Sequence, residues 1–284
     1  MQLRSKPRSI RKALALATCT ILSQVPHQAR AADNQWTTEL SSLYYTEADR
    51  FTVNETETII EKAASESEFV RLKLIYDSMT GASANGAVFT SNGGVQTITS
   101  PSGSVNVAPG GGTGLSPLTP FVDTRTAVAF DWGRRLPGEW RGTFGGTASF
   151  ENDYTSLGGS GTFSRDFNQR LTTFTTGLSL TFDTVRPVGG APGAFDSVTV
   201  GTRYGPGEKR VADAIIGLSQ VLSRRMLTQI NYTVGMSDGY LTDPYKVLSV
   251  IDLTSGDPSD HVYENRPTSR RQQCVLGDEV PVHG

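Results

Sequence analysis

Cysteine and histidine are scarce in this sequence, and their scarcity excludes several kinds of site. The 284 residues include two cysteines, Cys19 and Cys274, and three histidines, His27, His261 and His283. Cys19 lies in an N-terminal segment that has the features of a cleaved signal peptide, so the mature chain would keep Cys274 alone. A single cysteine can form neither an internal disulfide nor a multi-cysteine metal site. We therefore predict a mature protein that holds no metal and no cofactor.

Long apolar runs and an excess of one charge are also missing. No stretch approaches the roughly 20 consecutive apolar residues that a membrane-spanning helix needs. The 26 basic and 28 acidic side chains leave a formal net charge of −2, which argues against a nucleic-acid-binding protein and against an acidic disordered tail. The 30 glycines, together with many threonines and serines, favour strands and turns over long helices.

Residues 1–31 have the three parts of a secretory signal peptide. A basic region is followed by an apolar region over residues 13–22, and Ala29-Arg30-Ala31 offers a small-x-small cleavage site. We predict export with cleavage near Ala31, which leaves residues 32–48 as the N-terminal segment of the mature chain. The alternatives are a retained amphipathic helix and lipidation at Cys19, whose preceding threonine is poorly suited to a lipidation motif.

Residues 121–151 alternate between apolar and polar side chains over two long segments. In the first segment one face carries Val122, Thr124, Thr126, Val128, Phe130 and Trp132, and the other carries Asp123, Arg125, Ala127, Ala129 and Asp131. Successive side chains of a strand point to opposite faces, so the pattern predicts a hairpin with strands of about 12 residues. A transmembrane β-strand needs about 9 to 11 tilted residues, whereas an average soluble strand has about five or six. The pattern therefore favours a membrane-spanning hairpin.

Similar alternation recurs in residues 171–183 and 225–237, and the connections between strands fall into two classes. Long connections cover residues 78–120, 184–210 and 238–266 and leave from one end of the strands, whereas the turns at the other end are short. Bacterial outer-membrane barrels have this asymmetry, with short periplasmic turns and longer external loops. We therefore predict an all-β protein whose residues 49–273 form an antiparallel up-and-down transmembrane β-barrel with about nine visible strands.

Residues 274–284 show no strand pattern, so we predict an aberrant tail there and an incomplete barrel. A closed barrel needs a last strand that pairs with the first, because an open edge in lipid leaves backbone groups without partners. A one-base shift of the reading frame from Cys274 permits an aromatic, alternating peptide typical of a barrel strand. Our hypothesis is a frameshift near residue 273 that truncated the barrel, and resequencing would test it.

Four motifs in the chain together resemble a bacterial family of unknown function whose members look like outer-membrane β-barrels. The motifs are Tyr45-Thr46-Glu47 with Asp49-Arg50; Asp77 followed by residues 80–87; Gly239-Tyr240-Leu241-Thr242-Asp243-Pro244-Tyr245-Lys246; and Tyr263-Glu264 with Arg266-Pro267 and Ser269-Arg270. The resemblance spans residues 43–271, and its third motif is the most specific. It implies a barrel fold and residence in the outer membrane, with no assigned activity and no catalytic residues. The family pattern continues past residue 271, which supports the predicted truncation.

Charged side chains on the polar face of the predicted strands are the best candidates for a functional lining. They are Asp123, Arg125, Asp131, Glu139, Arg141 and Glu151. We expect them to face the barrel lumen, where mixed charges pair across strands. The alternative is a polar channel, in which the near balance of signs predicts weak ion selectivity. At the rim, we expect the tyrosines of the third motif to fold their loop onto the barrel rather than to bind a ligand.

Two other candidate sites have weaker support. His261 could act as a base in a Ser-His-acid arrangement with Ser259 and Asp260, but adjacency in sequence says nothing about geometry. The acidic residues of the loop over 238–266 favour a solvated surface over a Ca²⁺ site, because no stretch matches a calcium-binding loop. We therefore predict no catalytic, cofactor-binding or metal-binding residue.

Taken together, the signal peptide and the strand pattern predict an outer-membrane β-barrel of a Gram-negative bacterium that is not an enzyme. We expect a passive role as a pore, a transport component or a scaffold. The expected partners are outer-membrane lipid and a periplasmic protein, with nucleic acid excluded. Two alternatives stay open: an outer-membrane hydrolase, and a secreted soluble β protein or adhesin.

Overall fold

The computed structural model describes residues 34–47, 51–65, 67–84, 86, 100–102, 118–198, 201–224, 226–256 and 258–281, and these are folded almost entirely into strands. In chain order the strands are β1 Trp36–Glu47, β2 Phe51–Ser65, β3 Glu68–Ala84, β4 Leu118–Arg135, β5 Trp140–Phe150, β6 Tyr154–Phe167, β7 Thr172–Val185, β8 Ala191–Pro192, β9 Arg203–Tyr204, β10 Gly207–Ser223, β11 Met226–Gly239, β12 Val247–Ile251, β13 Pro258–Tyr263 and β14 Ser269–Pro281. A 3₁₀ turn, Pro137–Glu139, joins β4 to β5. The predicted signal peptide and most of the loop over 78–120 lie outside the described residues. Among the described residues, no helix has the length and apolar character needed to cross a bilayer.

One large antiparallel sheet contains ten of the described strands. Their order is β1-β2-β3-β4-β5-β6-β7-β10-β11-β14, whereas β8 with β9 and β12 with β13 form two small sheets in the loops. Each strand of the large sheet thus pairs with the next one along the chain, which confirms the predicted all-β, antiparallel, up-and-down architecture. The large sheet is open between its edge strands β1 and β14, so its closure into a barrel stays a prediction.

The sheet has ten described strands instead of about nine, because sequence patterns did not predict β1; at the other end, β14 extends further than predicted. β1 pairs with β2 along its whole length, from Trp36 opposite Lys62 to Glu47 opposite Phe51. β14 pairs with β11 over residues 269–281. The prediction that residues 274–284 form no strand is therefore wrong for 274–281. Backbone groups make the ladder, so a segment whose side chains alternate poorly can still extend the sheet.

The two faces of the sheet differ in chemistry. Large apolar side chains are exposed to solvent on one face, where Phe130 is 47%, Leu178 54% and Ile230 55% exposed. They form cross-strand ladders, in which Leu178 lies opposite Ala214 and Ile230 lies opposite Leu218. The other face carries serine, threonine, glycine and charged residues. The described protein therefore leaves the apolar face of its main sheet uncovered.

The connections differ in length between the two ends of the sheet. At one end, which we call the loop end, residues 85–117, 186–206 and 240–268 connect strands that are neighbours in the sheet. The opposite end, the turn end, carries the short turns after β2, β4, β6 and β10. The β5–β6 turn, residues 151–153, is short but belongs to the loop end. The three long connections thus all leave from the loop end.

The described loop residues pack into a small cap at the loop end. β12 and β13 form a hairpin, and Ser197 adds a bridge to Val262. Val247 and Tyr263 are buried in this cap, with Val198 packed against them. The Arg203 guanidinium lies 4.3 Å from the centroid of the Tyr263 ring. This packing fixes the segment that enters the hairpin, residues 239–246, against the end of the sheet.

Candidate functional site

Ion pairs cross the polar face of the sheet between neighbouring strands. Arg71 Nε lies 2.6 Å from Glu61 Oε2, and Lys73 Nζ lies 2.5 Å from Glu57 Oε2. Glu61 is directly opposite Arg71 in the β2–β3 register. Opposite charges at facing positions stabilise a sheet, so these pairs link β2 to β3.

Two of the predicted lining residues, Arg125 and Arg141, are held in such pairs. Arg125 Nη2 lies 2.6 Å from Oδ2 of Asp77, its partner in the β3–β4 register. Both terminal nitrogens of Arg141 donate to Asp166, with Nη2 2.8 Å from Oδ1. The hydroxyl of Thr173 also donates to Asp166 Oδ1 at 2.8 Å. A planar guanidinium fits a carboxylate with two parallel hydrogen bonds, so Arg141 joins β5 firmly to β6.

Asp131 lies on the polar face of the sheet, whereas Glu139 lies in the turn between β4 and β5. Asp131 lies opposite Arg71 on one side and Gly145 on the other. A Cβ added at Gly145 would stand 2.8 Å from Asp131 Oδ1, so the carboxylate uses the space that glycine leaves. Glu139 is not on a strand face, because it ends the 3₁₀ turn with a φ of +64° and is exposed at the turn end. The structure does not bring Glu139 to the other candidates.

The remaining candidates, Asp123 and Glu151, border a cavity of about 800 Å³ at the loop end. Asp123 lies near the start of β4, and Glu151 begins the β5–β6 turn. The same cavity is bordered by Arg270 of β14. In the sheet, five strands separate β4 from β14, which corresponds to about 29 Å along a flat sheet at the usual strand spacing. The sheet therefore curves, with its polar face concave around the cavity.

The most specific sequence motif, residues 239–246, forms one wall of the cavity. The hydroxyl of Tyr245 donates to the carboxylate of Asp153, and the amide of Val188 donates to the same hydroxyl over 3.4 Å. The amide of Tyr245 donates to Asp243 Oδ1 at 3.0 Å. Burial and the Asp153 carboxylate together raise the pKa of Tyr245 above its ordinary value. The loop is thus anchored over the end of the sheet, as expected for these tyrosines.

Tyr240 begins the same wall and packs on a glycine. Its amide donates to the carbonyl of Glu208 at 2.7 Å. A Cβ added at Gly207 would stand 2.4 Å from Cγ of the Tyr240 ring, so the ring occupies the space above this glycine. Burial, reinforced by Asp243, raises the pKa of Tyr240 to about 12. Its hydroxyl is buried and has no hydrogen-bond partner among the described residues.

Charge is distributed on two sides of the cavity. On one side, neither Asp123 nor Glu151 has a basic group within 4.0 Å in the described part of the chain, and Asp123 Oδ1 is buried without a hydrogen-bond partner there. Burial, followed by repulsion from Asp123, raises the pKa of Glu151. On the other side, Arg270 has no acidic group within the same distance in that part of the chain.

The other charged side chains that line the cavity have partners. Lys209 Nζ lies 3.0 Å from Asp183 Oδ2, and Arg266 Nε lies 2.5 Å from Glu264 Oε1. Asp153 accepts the hydrogen bond of Tyr245, and Asp243 Oδ2 lies 3.6 Å from Lys246 Nζ. Apart from Asp153, the charged groups left without an ion-pair partner among the described lining residues are therefore Asp123 and Glu151 on an acidic side and Arg270 on a basic side.

Sequence reasoning missed Asp153, Lys209 and Arg270 as members of this site. Asp153 sits in a three-residue turn outside any alternating segment, and Arg270 precedes a stretch for which no strand was predicted. Arg270 could have been found from the fourth motif, which contains Ser269-Arg270. This motif and residues 239–246 both belong to the set of motifs that resembles the bacterial family. Their proximity depends on the curvature of the sheet, which no local pattern reports.

The three residues of the alternative hydrolase arrangement, Ser259, Asp260 and His261, are consecutive in β13. His261 is buried in β13, at 1% exposure. Ser259 Oγ donates to the carbonyl of Val250 at 3.1 Å, and Asp260 Oδ1 accepts from the amide of His261 at 2.7 Å. Among the described residues, no group of three or more His, Cys, Asp and Glu side chains has the geometry to hold a metal ion.

Comparison with known proteins identifies a family and gives no activity. A family model described as a protein of unknown function, DUF3570, matches residues 11–281. No curated protein matches the chain. Among solved structures, the chain is similar to the open form of the ferric-catecholate import receptor Fiu from E. coli K12, with 8% identity and a TM-score of 0.33. That similarity covers 87% of this chain, which spans half the length of the receptor.

Proposed function

This chain belongs to the DUF3570 family, and on that premise we propose that it is an outer-membrane β-barrel with a passive role as a pore or transport component. In this proposal the large sheet closes around its polar face, and its apolar face contacts lipid. The loop end points outward from the cell and the turn end points to the periplasm.

The exposed apolar face is the observation that carries the proposal. Side chains such as Phe130, Leu178 and Ile230 are about half exposed in the middle of their strands. Contiguous apolar surface of this extent marks contact with another apolar phase. The sheet strands have 11 to 18 residues, which exceeds the about 9 to 11 that a tilted strand needs to cross a bilayer. Lipid is the partner that would cover a whole face of such a sheet.

The positions of charge on the apolar face support the same conclusion. In the described strands from β1 to β11, this face carries charged residues within three positions of a strand end: Lys62, Glu68, Arg134, Arg165, Glu208, Arg210 and Asp238. The cost of a basic side chain facing lipid is about 2–4 kcal/mol at the bilayer midplane and falls towards the interfaces. A soluble sheet has no reason to keep charge out of the centre of one face.

The polar face supports a lumen. Several of its charges are paired across strands, such as Asp77 with Arg125 and Asp183 with Lys209. Between these pairs lie serine, threonine and glycine, which leave room for water. A hydrated lumen of this kind suits passage of small polar solutes. This passive role is favoured over hydrolysis, since Ser259 and Asp260 are engaged with backbone groups around His261.

Membrane fractionation with heat treatment tests the proposal. We expect the protein in outer membranes, resistant to extraction by alkaline carbonate and released by detergent. Unboiled protein should migrate differently from boiled protein on a denaturing gel, because a closed barrel keeps its structure in the detergent. Protein recovered in the medium or periplasm without detergent, with no heat-dependent shift, would contradict the proposal and favour a secreted soluble β protein.

Conductance separates the pore from the hydrolase. Purified protein in planar bilayers should form ion-conducting channels, and His261→Ala should leave conductance unchanged. Hydrolysis of membrane lipid that is lost in His261→Ala would contradict the passive role.

A further inference from the structure

We propose that the loop-end cavity binds a small zwitterion with an apolar body, of the short-peptide class, with its ammonium group on Asp123 and Glu151 and its carboxylate on Arg270. The inference deepens the proposed function, on which it rests for placing the cavity at the mouth of a lumen. It names the class of solute that this mouth recognises.

The acidic side is arranged to receive a cation. Asp153 already accepts the hydroxyl of Tyr245, which leaves Asp123 and Glu151 without a basic group within 4.0 Å among the described residues. Both carboxylates border one cavity, and burial together with repulsion from Asp123 raises the pKa of Glu151. An ammonium group between them would remove this repulsion and satisfy Asp123 Oδ1, which is buried without a partner in the described structure.

The basic side is arranged to receive an anion. Arg270 lies on the polar face of β14, opposite Ser237 of β11. With the Gln272 amide oriented to accept, Arg270 Nη2 lies 2.7 Å from its oxygen, so the guanidinium is positioned by a neutral group. A guanidinium in this state keeps its charge available for a carboxylate, which it binds through two hydrogen bonds. Arg266 is a poorer anchor because Glu264 already pairs with it.

Apolar and aromatic side chains also line the cavity. Among them are Tyr154, Tyr240, Pro244 and Pro267. Tyrosine rings contribute to binding both as apolar surface and through attraction of cations to the ring face. The volume of about 800 Å³ falls within the range of about 300–1,000 Å³ that small-molecule sites occupy. A simple ion would leave these walls unused, whereas a short peptide with an apolar side chain contacts both charged sides and the walls.

Three peptide probes test the two charged sides separately. Full-length protein in detergent is titrated calorimetrically with Ala-Phe-Ala, with its N-acetylated form, which lacks the ammonium group, and with its C-terminal amide, which lacks the carboxylate. We expect the free tripeptide to bind about tenfold more tightly than either derivative, the change that follows from losing one charged hydrogen-bonded contact. Equal affinity for the three probes, or no saturable binding, would overturn the proposal.

Charge variants assign each end of the probe to its side. The double variant Asp123→Asn with Glu151→Gln should bind the free tripeptide only as tightly as the parent binds the acetylated probe, and its affinity for the acetylated probe should not change. Arg270→Gln should bind the free tripeptide only as tightly as the parent binds the amide. The probe that does not use the altered side reports that each variant is folded. Glu208→Gln and Arg224→Gln, exposed and outside the cavity, are the matched controls and should bind as the parent does. Unchanged binding in both cavity variants would contradict the assignment.

The binding result and the membrane result are independent. If the protein fractionates as soluble but binds the probes saturably and in a charge-dependent way, the cavity assignment is supported and the barrel is contradicted. If it is a heat-modifiable membrane protein that binds none of the probes, the barrel is supported and the cavity assignment is contradicted.

Discussion

The hydroxyl of Tyr245 donates a hydrogen bond to Asp153, a residue 92 positions earlier in the chain. Because the amide of Val188 donates to the same hydroxyl, one side chain joins three of the connections at the loop end. These are the β5–β6 turn, the connection over 186–206 and the motif segment over 239–246. The motif segment therefore belongs to the end of the sheet and does not extend freely from it.

Removal of this hydroxyl should loosen the motif segment without unfolding the sheet. We expect Tyr245→Phe to cost about 1–2 kcal/mol, because a part-buried carboxylate loses its donor. Limited proteolysis should then cut residues 240–268 several times faster than in the parent. Tyr204→Phe, at an exposed tyrosine of the same cap, is the control and should be cut at the parental rate. Equal rates for both variants would show that the hydrogen bond does not hold the loop.

Gly207 should tolerate no side chain, because the Tyr240 ring fills the space above it. A methyl group at this position meets ring carbon Cγ at 2.4 Å, whereas at Gly205 no atom lies within 4 Å. We expect Gly207→Ala to displace the ring, to lower stability by about 1–3 kcal/mol and to weaken binding of Ala-Phe-Ala. Gly205→Ala should change neither the stability measured by denaturant unfolding nor the peptide affinity measured by calorimetry. Parental behaviour of Gly207→Ala would contradict the close contact.

The Arg141–Asp166 pair should depend on guanidinium geometry and not on charge alone. Arg141→Lys keeps the charge but loses the two-point contact with Asp166. We expect a loss of about 1 kcal/mol in urea unfolding. Arg186→Lys is the matched control, since Arg186 is exposed and donates a 3.3 Å hydrogen bond to Thr155. A loss in the control as large as that at Arg141 would refute the geometric argument.

Glu151 should destabilise the folded protein at neutral pH. Burial and the nearby Asp123 raise its pKa above the ordinary value of 4.5. Its contribution to stability is therefore fully present below about pH 4.5 and is lost as pH rises through the folded pKa. We expect Glu151→Gln to stabilise the protein at pH 7 and to have little effect at pH 4, measured by urea unfolding. An effect of Glu151→Gln that is equal at pH 4 and pH 7 would contradict the prediction.

Alternation along single strands was enough to predict the core of the sheet. Strands β4, β5, β7 and β11 have a regular period of two, so their faces and antiparallel pairing follow from the residue types. The C-terminal part of β14 did not follow, because residues 274–281 do not alternate: Val275 and Leu276 are neighbouring apolar residues, and the ladder with β11 is made by backbone groups. Periodicity predicts a strand only where side chains of different polarity alternate.

The cavity could be predicted only in part. Asp123 and Glu151 were found because they are charged residues on the polar face of the alternating segments. Arg270 was recorded only as part of a motif, and its position across the cavity depends on the curvature that accumulates over the strands between β4 and β14. Twist and curvature arise from many residues together, so no single motif carries them.

The sidedness of β7 offers the most direct measurement of the central claim that the apolar face contacts lipid. Leu178 and Ser179 are neighbours at the middle of this central strand and point to opposite faces. The protein is refolded into lipid vesicles, and the free energy of unfolding is measured for Leu178→Arg and Ser179→Arg. We predict a loss of about 2–4 kcal/mol for Leu178→Arg, because its charge would face the bilayer midplane, and a much smaller loss for Ser179→Arg. A Leu178→Arg variant as stable as the parent, with Ser179→Arg strongly destabilised, would contradict the account and indicate a sheet whose apolar face lies in water.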